Sequence, residues 1–269
     1  MKVLVTGHNG FIGRNMVEWM TAEGWQVDGW DWCLNDYPDI KKYQWVIHLG
    51  AITDKSITDI DKIMIQNYEF SQWIFNECQK NEVHLQYAST SSVYGHGNDF
   101  SETAACFPDS AYAWSKYLFD RWAFRQSAHV AFVQGFRYFN VYGKYMHLRG
   151  NQSNIIHKWT EEARKTGSIS VWDNAVQIKR DWVWVGDVCK IHIDFIKNVH
   201  GSGIWNVGSG LAHSYLDIAE AIAEQENALI QVADSQGHNI RYKTCADLTH
   251  LKATIGKRQW LNVFEYINR

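Results

Sequence analysis

Short runs of aliphatic and β-branched residues alternate along the chain with longer stretches in which apolar positions recur at three- and four-residue spacing. That alternation is the pattern of parallel strands joined by crossover helices, so the chain reads as α/β. Residues 2–6 are the first predicted strand, 14–23 its helix, stopped by Gly24, and 25–30 the second strand. Strand 45–49, helix 61–79, strand 83–89, helix 111–125 and strand 130–139 continue the series. Beyond them the pattern loosens: 154–165 is helical, 178–184 strand-like, 188–198 helical, 203–207 a strand and 215–224 a helix. Only 13 residues separate Asp31 from Trp45, too few for a strand, a crossover helix and two connections. One unit of a doubly wound sheet is therefore expected to be shortened there. With no Gly/Ser-rich linker, repeat or low-complexity tract, any second domain is built from excursions of the same chain.

Composition narrows the classes. The 269 residues carry 26 Lys+Arg against 29 Asp+Glu, a net charge of −3, which argues against a general nucleic-acid binder. Five cysteines, at 33, 78, 106, 189 and 245, form no close pair, so neither a disulfide framework nor a C-x-x-C metal knuckle is expected and a reducing compartment fits. Met1-Lys2-Val3-Leu4-Val5 leads straight into structure, with no signal-peptide pattern, and no run of about eighteen apolar residues follows. A cytoplasmic protein with neither membrane nor nucleic-acid partner is expected. The 12 histidines are scattered without metal-ligand spacing, so no metal site is expected. The 14 tryptophans are unusually many; Trp30, Trp32, Trp182 and Trp184, which alternate along predicted strands, read as packing before ligand stacking.

The first strand runs into Thr6-Gly7-His8-Asn9-Gly10-Phe11-Ile12-Gly13, a G-x-x-G-x-x-G that opens a helix. Glycines there allow a tight turn, close approach of backbone N–H groups to a pyrophosphate and helix-on-strand packing, and the helix N-terminus adds its positive dipole end. Three spaced glycines alone are a weak signal; strand before and helix after strengthen it. Asp31, which closes the second strand, suits the ribose hydroxyls of an adenosine and repels a 2′-phosphate. No Lys or Arg follows until Lys41, which favours NAD over NADP.

Tyr112-Ala113-Trp114-Ser115-Lys116 sets a phenol and an ammonium four residues apart on one helical face. Moving a phenol from about 10 to near 7 takes roughly 4 kcal/mol, which a lysine charge at about 4 Å and an effective dielectric of about 20 supplies. Such a tyrosine accepts a proton from a sugar hydroxyl while hydride leaves for a nicotinamide. Y-x-x-x-K is common by chance, and its place downstream of a dinucleotide fingerprint is what gives it weight. Upstream, Ser89-Thr90-Ser91-Ser92 puts four hydroxyls at the carboxyl end of a strand, the ligand side of an open α/β sheet.

Together these residues resemble the extended short-chain dehydrogenase/reductases that act on nucleotide-sugars. The resemblance runs on through His48-Leu49-Gly50-Ala51, Asn67, residues 135–143, residues 179–188 and residues 203–210. It is most similar to the ADP-L-glycero-D-manno-heptose 6-epimerase branch, on residues 115–120, 136–143 and Arg241-Tyr242 with Ala246-Asp247-Leu248-Thr249. The resemblance implies a Rossmann-like doubly wound parallel sheet, one unit short, with an NAD(P)-binding domain from residues 1–143 plus 185–209. A smaller substrate-binding domain would come from 144–184 plus 210–269. It implies Thr90, Tyr112 and Lys116 as the catalytic set. Gly7, Gly10, Phe11, Ile12, Gly13, Asp31, Leu49, Gly50, Ala51, Asn67 and Phe139 would surround the cofactor, with Asp39 and Ile40 as the remnant of the adenine wall. Ser91, Asn140, Arg149, Arg180 and Arg241 would hold the phosphates and sugar of a nucleotide-diphosphate sugar. A homodimer through the helices around 67–79 and 111–125 is implied as well.

One departure from that branch matters. Its second acid/base is a lysine in the loop after Asn-Val-Tyr-Gly, and Arg149 holds that place here. Arginine does not deprotonate in proteins, which argues against heptose-type epimerisation by that route and leaves open a C4-type epimerase that uses Tyr112 alone. Ser91 and Ser92 lack the acid that sugar dehydratases and decarboxylases of the family place there. An epimerase-reductase, with Cys106 and His147 as its acid and base, and a non-enzymatic NAD(P)-binding regulator are the remaining alternatives.

Overall fold

A computed structural model of the chain describes residues 1–33, 36–54, 57–126, 130–235 and 242–269. The first half builds β1 (Lys2–Thr6), α1 (Phe11–Ala22), β2 (Gln26–Trp30), β3 (Trp45–His48), α2 (Ile60–Met64), α3 (Phe70–Lys80), β4 (His84–Thr90), α4 (Ala111–Ala123) and β5 (Val133–Tyr138). There follow β6 (Asn140–Tyr142), α5 (Ile155–Thr166), β7 (Ser168–Trp172), β8 (Lys179–Trp184), α6 (Val185–Lys197) and β9 (Gly203–Val207). The chain ends with β10 (Ala212–Ser214), α7 (Tyr215–Glu226), β11 (Leu229–Ala233), β12 (Lys243–Thr244), α8 (Thr249–Ile255) and α9 (Val263–Ile267).

Six of these strands form one parallel, Rossmann-like sheet in the order β2-β1-β3-β4-β5-β9. The apolar runs of β1 and β3 are buried on both faces, as a sheet covered by crossover helices requires. Leu4, Val46, Leu85 and Val133 pack beneath Phe70, Ile74 and Phe119 on one side. Val3, Val5 and Ile47 pack against Met16, Met20, Cys189 and Ile193 of α1 and α6 on the other. Between β2 and β3 the described chain makes only the single helical turn Ile40–Lys42, so β2 is an edge strand and the shortened unit is real.

Around β8 a second sheet gathers β10, β12 and β6, while β7 and β11 pair separately. A third core, of Ile156, Trp159, Ile169, Trp182, Ile218 and Ile222, lies beneath them. Most of these strands have two to five residues, too short to show a period in sequence.

Three predicted boundaries move. α1 begins at Phe11 rather than 14, directly from the glycine turn, and α6 begins at Val185 rather than 188. The helix expected over 61–79 is α2 and α3 joined by a π turn, Ile65–Glu69, which inserts one extra residue into the winding. Among the described residues no helix is long and apolar enough to cross a membrane.

Candidate active site

The carboxyl ends of β1, β2, β3, β4 and β5 lie together, with Thr6 beside both Trp30 and His48 and Thr90 beside Tyr138. Two adjoining clefts open there, as expected outside the strand ends of an open α/β sheet. The first, about 610 Å³, is lined by Gly7, Gly10, Phe11, Ile12, Gly13, Asp31, Leu49, Gly50 and Ala51, joined by Trp30, Trp32, Gln66 and Phe70.

The glycines are needed by the backbone. Gly7 has φ 72°, and a Cβ on it would sit 2.6 Å from the Gly50 nitrogen; a Cβ on Gly13 would run into the Gly7 carbonyl oxygen. Gly10 precedes α1 without any side-chain cap, so the first-turn amides of a twelve-residue helix face an anion-sized opening. Asp31 is aimed by the same loop: its Oδ2 accepts from the Asn9 side-chain amide at 2.5 Å and lies 3.3 Å from His8 Nδ1. A loop that tolerates no Cβ, a helix N-terminus and a fixed carboxylate fit a dinucleotide's pyrophosphate and ribose.

One sequence expectation fails at this cleft. Ile40 is a core residue packed with Leu4, Val46 and Phe70, and Asp39 pairs with Lys42 at 3.3 Å, so neither walls the cleft. The turn that carries them is too short to reach it. Trp30 and Trp32 pack against the core as read, Trp30 stacked on Phe70 at 5.0 Å and Trp32 nearly perpendicular to the same ring at 4.9 Å, and they line the cleft as well.

The second cleft, about 380 Å³, brings together Thr90, Ser91, Tyr112, Lys116, Phe139, Asn140 and Arg149. Ser110 caps α4, its hydroxyl accepting from the Ala113 N–H, so Tyr112 stands in the first turn and Lys116 one turn further. Thr90 and Tyr112 line this cleft together. Burial holds the Tyr112 phenol above its usual range, against the downward pull of the Thr90 hydroxyl and of the Arg149 charge. Burial also brings the Lys116 ammonium down to about 8, opposed by the Asp120 carboxylate. The softening of Tyr112 expected from Lys116 is therefore not seen, and the groups that pull the phenol down are Thr90 and Arg149. Asp120 itself is buried and held by the Tyr87 and Ser89 hydroxyls, each at 2.9 Å, and by Arg137 at 3.0 Å.

Arg149 donates to the Thr53 hydroxyl at 3.0 Å, and Gln152 to Asp54 at the same distance. These bonds lay the segment after β6 across the loop after β3, and both residues line both clefts.

Asn67, expected beside the cofactor, lies outside both cleft walls and is wholly buried in the π turn. Its side chain accepts from the Ile52 N–H at 2.7 Å and donates to the Ile52 carbonyl at 2.9 Å and to the Ser115 hydroxyl at 3.2 Å. It ties the cofactor loop to the helix of Tyr112 and Lys116, and is a positioning residue. His48 extends the brace, with Nδ1 2.7 Å from the Thr6 hydroxyl and Nε2 2.8 Å from that of Ser71. Ser71 donates to the Asn67 carbonyl, so Nε2 carries the ring proton, and burial keeps the ring neutral by bringing its pKa down to about 3.

On the sugar side, Asn140 donates to the Asp181 carbonyl at 3.2 Å. Arg180 lies 5.4 Å from the centre of the Tyr215 ring and bonds the Lys179 carbonyl; Tyr215, not Arg180, forms the wall. Arg241 lies outside the described residues. Asp181 was not foreseen: it is fully buried and accepts from Ser209, Gly210 and Ala246 backbone N–H groups at 2.7 to 2.9 Å, pinning three segments beside the site. Neither Cys106 nor His147 lines the cleft. Cys106 turns toward the Ala104 carbonyl and His147 is exposed against Tyr145.

Residues 3–208 match the model of the NAD dependent epimerase/dehydratase family. The chain is 29% identical to an ADP-L-glycero-D-manno-heptose-6-epimerase of Brachyspira hyodysenteriae over 97% of this chain and 94% of that one. It is 32% identical to the enzyme of the same name from Thiobacillus denitrificans, over 81% and 76%. Its fold is similar to the structure of a Thermus thermophilus UDP-glucose 4-epimerase in complex with NAD, with a TM-score of 0.81, 24% identity and coverage of 100% and 97%.

Proposed function

The chain belongs to the NAD dependent epimerase/dehydratase family, and from that membership we propose an NAD-dependent nucleotide-sugar epimerase whose substrate is an ADP-glycero-manno-heptose or a close relative. The observation that carries this reading is the gathering of Thr90, Tyr112, Lys116 and Arg149 in one cavity that adjoins the glycine-lined cleft. When bound, the oxidised nicotinamide accepts a hydride from a sugar carbinol and later returns it. Tyr112, through Thr90, takes the hydroxyl proton of that carbinol and gives it back after the other face is presented. Arg149 keeps its proton throughout, so it steadies the phenolate and the carbonyl oxygen and is no second base. A single base is also what a C4-type epimerase uses, and Arg149 favours that as the second reading.

Asp31, in the lining of the first cleft, favours NAD over NADP. In this reading residues 1–143 with 185–209 bind the cofactor and 144–184 with 210–269 the nucleotide-sugar. The exposed Ile60, Ile65, Trp114 and Leu118 on α2, the π turn and α4 support a homodimer through that face. The free cysteines suit a reducing cytoplasm.

Incubation with NAD or NADP and a panel of ADP-, GDP-, UDP- and dTDP-sugars, with product stereochemistry resolved by NMR, tests the proposal. Epimerisation of the ADP-heptose without net cofactor consumption is expected, and Tyr112→Phe should lower its rate by about 10²- to 10⁴-fold. Stoichiometric oxidation of NADPH, or conversion untouched by Tyr112→Phe, would overturn it.

A further inference from the structure

The first cleft has a wall that nothing so far explains. Along it the amides of α1 receive a pyrophosphate and Asp31 a ribose, so the base attached to that ribose has to lie just past Asp31. The residue there is Trp32. It is partly exposed, and its ring stands at 85° to that of Phe70. Trp30, on the other side of Asp31, lies nearly flat on Phe70 at 25°, and its indole N–H is buried without a partner. Asp39 and Ile40, the expected wall, are withdrawn from the cleft. A second aromatic layer, Trp73 stacked on Phe70 at 5.7 Å with Tyr37 against it at 4.6 Å, backs the group.

We propose that Trp32 is the base-recognising residue of this cleft: its indole face stacks on the adenine of the dinucleotide, on a platform of Phe70 and Trp30. Gln66, which lines the same cleft, supplies a polar contact at the purine edge. The shortened unit between β2 and β3 has thus exchanged a loop-built pocket for an aromatic one. The proposal rests on the dinucleotide reading of the cleft.

Titration with 1,N6-etheno-ADP, which has an adenine ring system and pyrophosphate but no nicotinamide, tests it in the full chain. Native protein should quench the probe's emission. Trp32→Leu should bind it about 10- to 100-fold more weakly and lose the quenching, in keeping with about 1–3 kcal/mol for a stacked base. Trp32→Phe, which keeps the fold's ring packing, should recover most of the affinity. NADH binding, followed through nicotinamide emission, should weaken in the same order. If both variants bind and quench the probe as the native protein does, the proposal is wrong. If the native protein binds neither probe nor NADH, the dinucleotide reading falls, and the proposal with it.

Discussion

The two clefts are built by different means. The first cleft is shaped by backbone: Gly7 and Gly13 are there because a Cβ would collide with main-chain atoms a few residues away or in the loop after β3. The sugar cleft is shaped by side chains from β4, α4, the segment after β6, β8 and α7, converging over large sequence distances. A backbone constraint is met by a contiguous string of residues. A convergent one leaves no local trace.

The sharpest break between the two clefts is Gly13→Val. The added carbons meet the Gly7 carbonyl, and NADH binding should become undetectable by fluorescence titration while the melting temperature falls by only a few degrees. A variant that binds NADH normally would show that the backbone does not shape this cleft. Lys116→Met probes the sugar side next. Burial has brought this ammonium from about 10.5 unfolded to about 8 folded, so below pH 8 the folded protein carries a proton at a destabilising cost of roughly 3 kcal/mol. The unfolded chain binds more protons between pH 8 and 10.5, so native stability rises across that window. The methionine variant should be the more stable at pH 7 in urea unfolding, lose that advantage toward pH 10.5, and be inactive. A variant less stable at pH 7 would contradict the origin of the shift. The smallest effect is expected for Arg149→Met. Its charge lowers the Tyr112 pKa, so removing it should move the rise of activity with pH upward. An unmoved profile would detach Arg149 from the phenol.

The parallel sheet, the glycine loop and Tyr112 with Lys116 were legible because each depends on short-range spacing: a period of two or 3.6, or a fixed three- or four-residue offset. Asp181 was not, since a buried aspartate receiving backbone N–H groups from residues 209, 210 and 246 looks in sequence like any other carboxylate. Trp30 and Trp32 pack as read, but their place in the lining of the first cleft was not legible, because a tryptophan near the end of a strand carries the same letter whether or not part of its ring meets a cavity. Asn67 was placed beside the cofactor, but its amide is spent on Ile52 and Ser115, one layer behind.

The wide turn at Ile65–Glu69 has a consequence for engineering. Deleting one residue from it would restore the ordinary pitch and turn one end of the helix by about a hundred degrees against the other. Asn67 and Phe70 could then no longer both keep their places, one bonded to Ile52 and Ser115 and the other in the core. Such a protein should melt earlier than its parent, because the extra residue is what lets one continuous rod serve a polar brace and an apolar core at once.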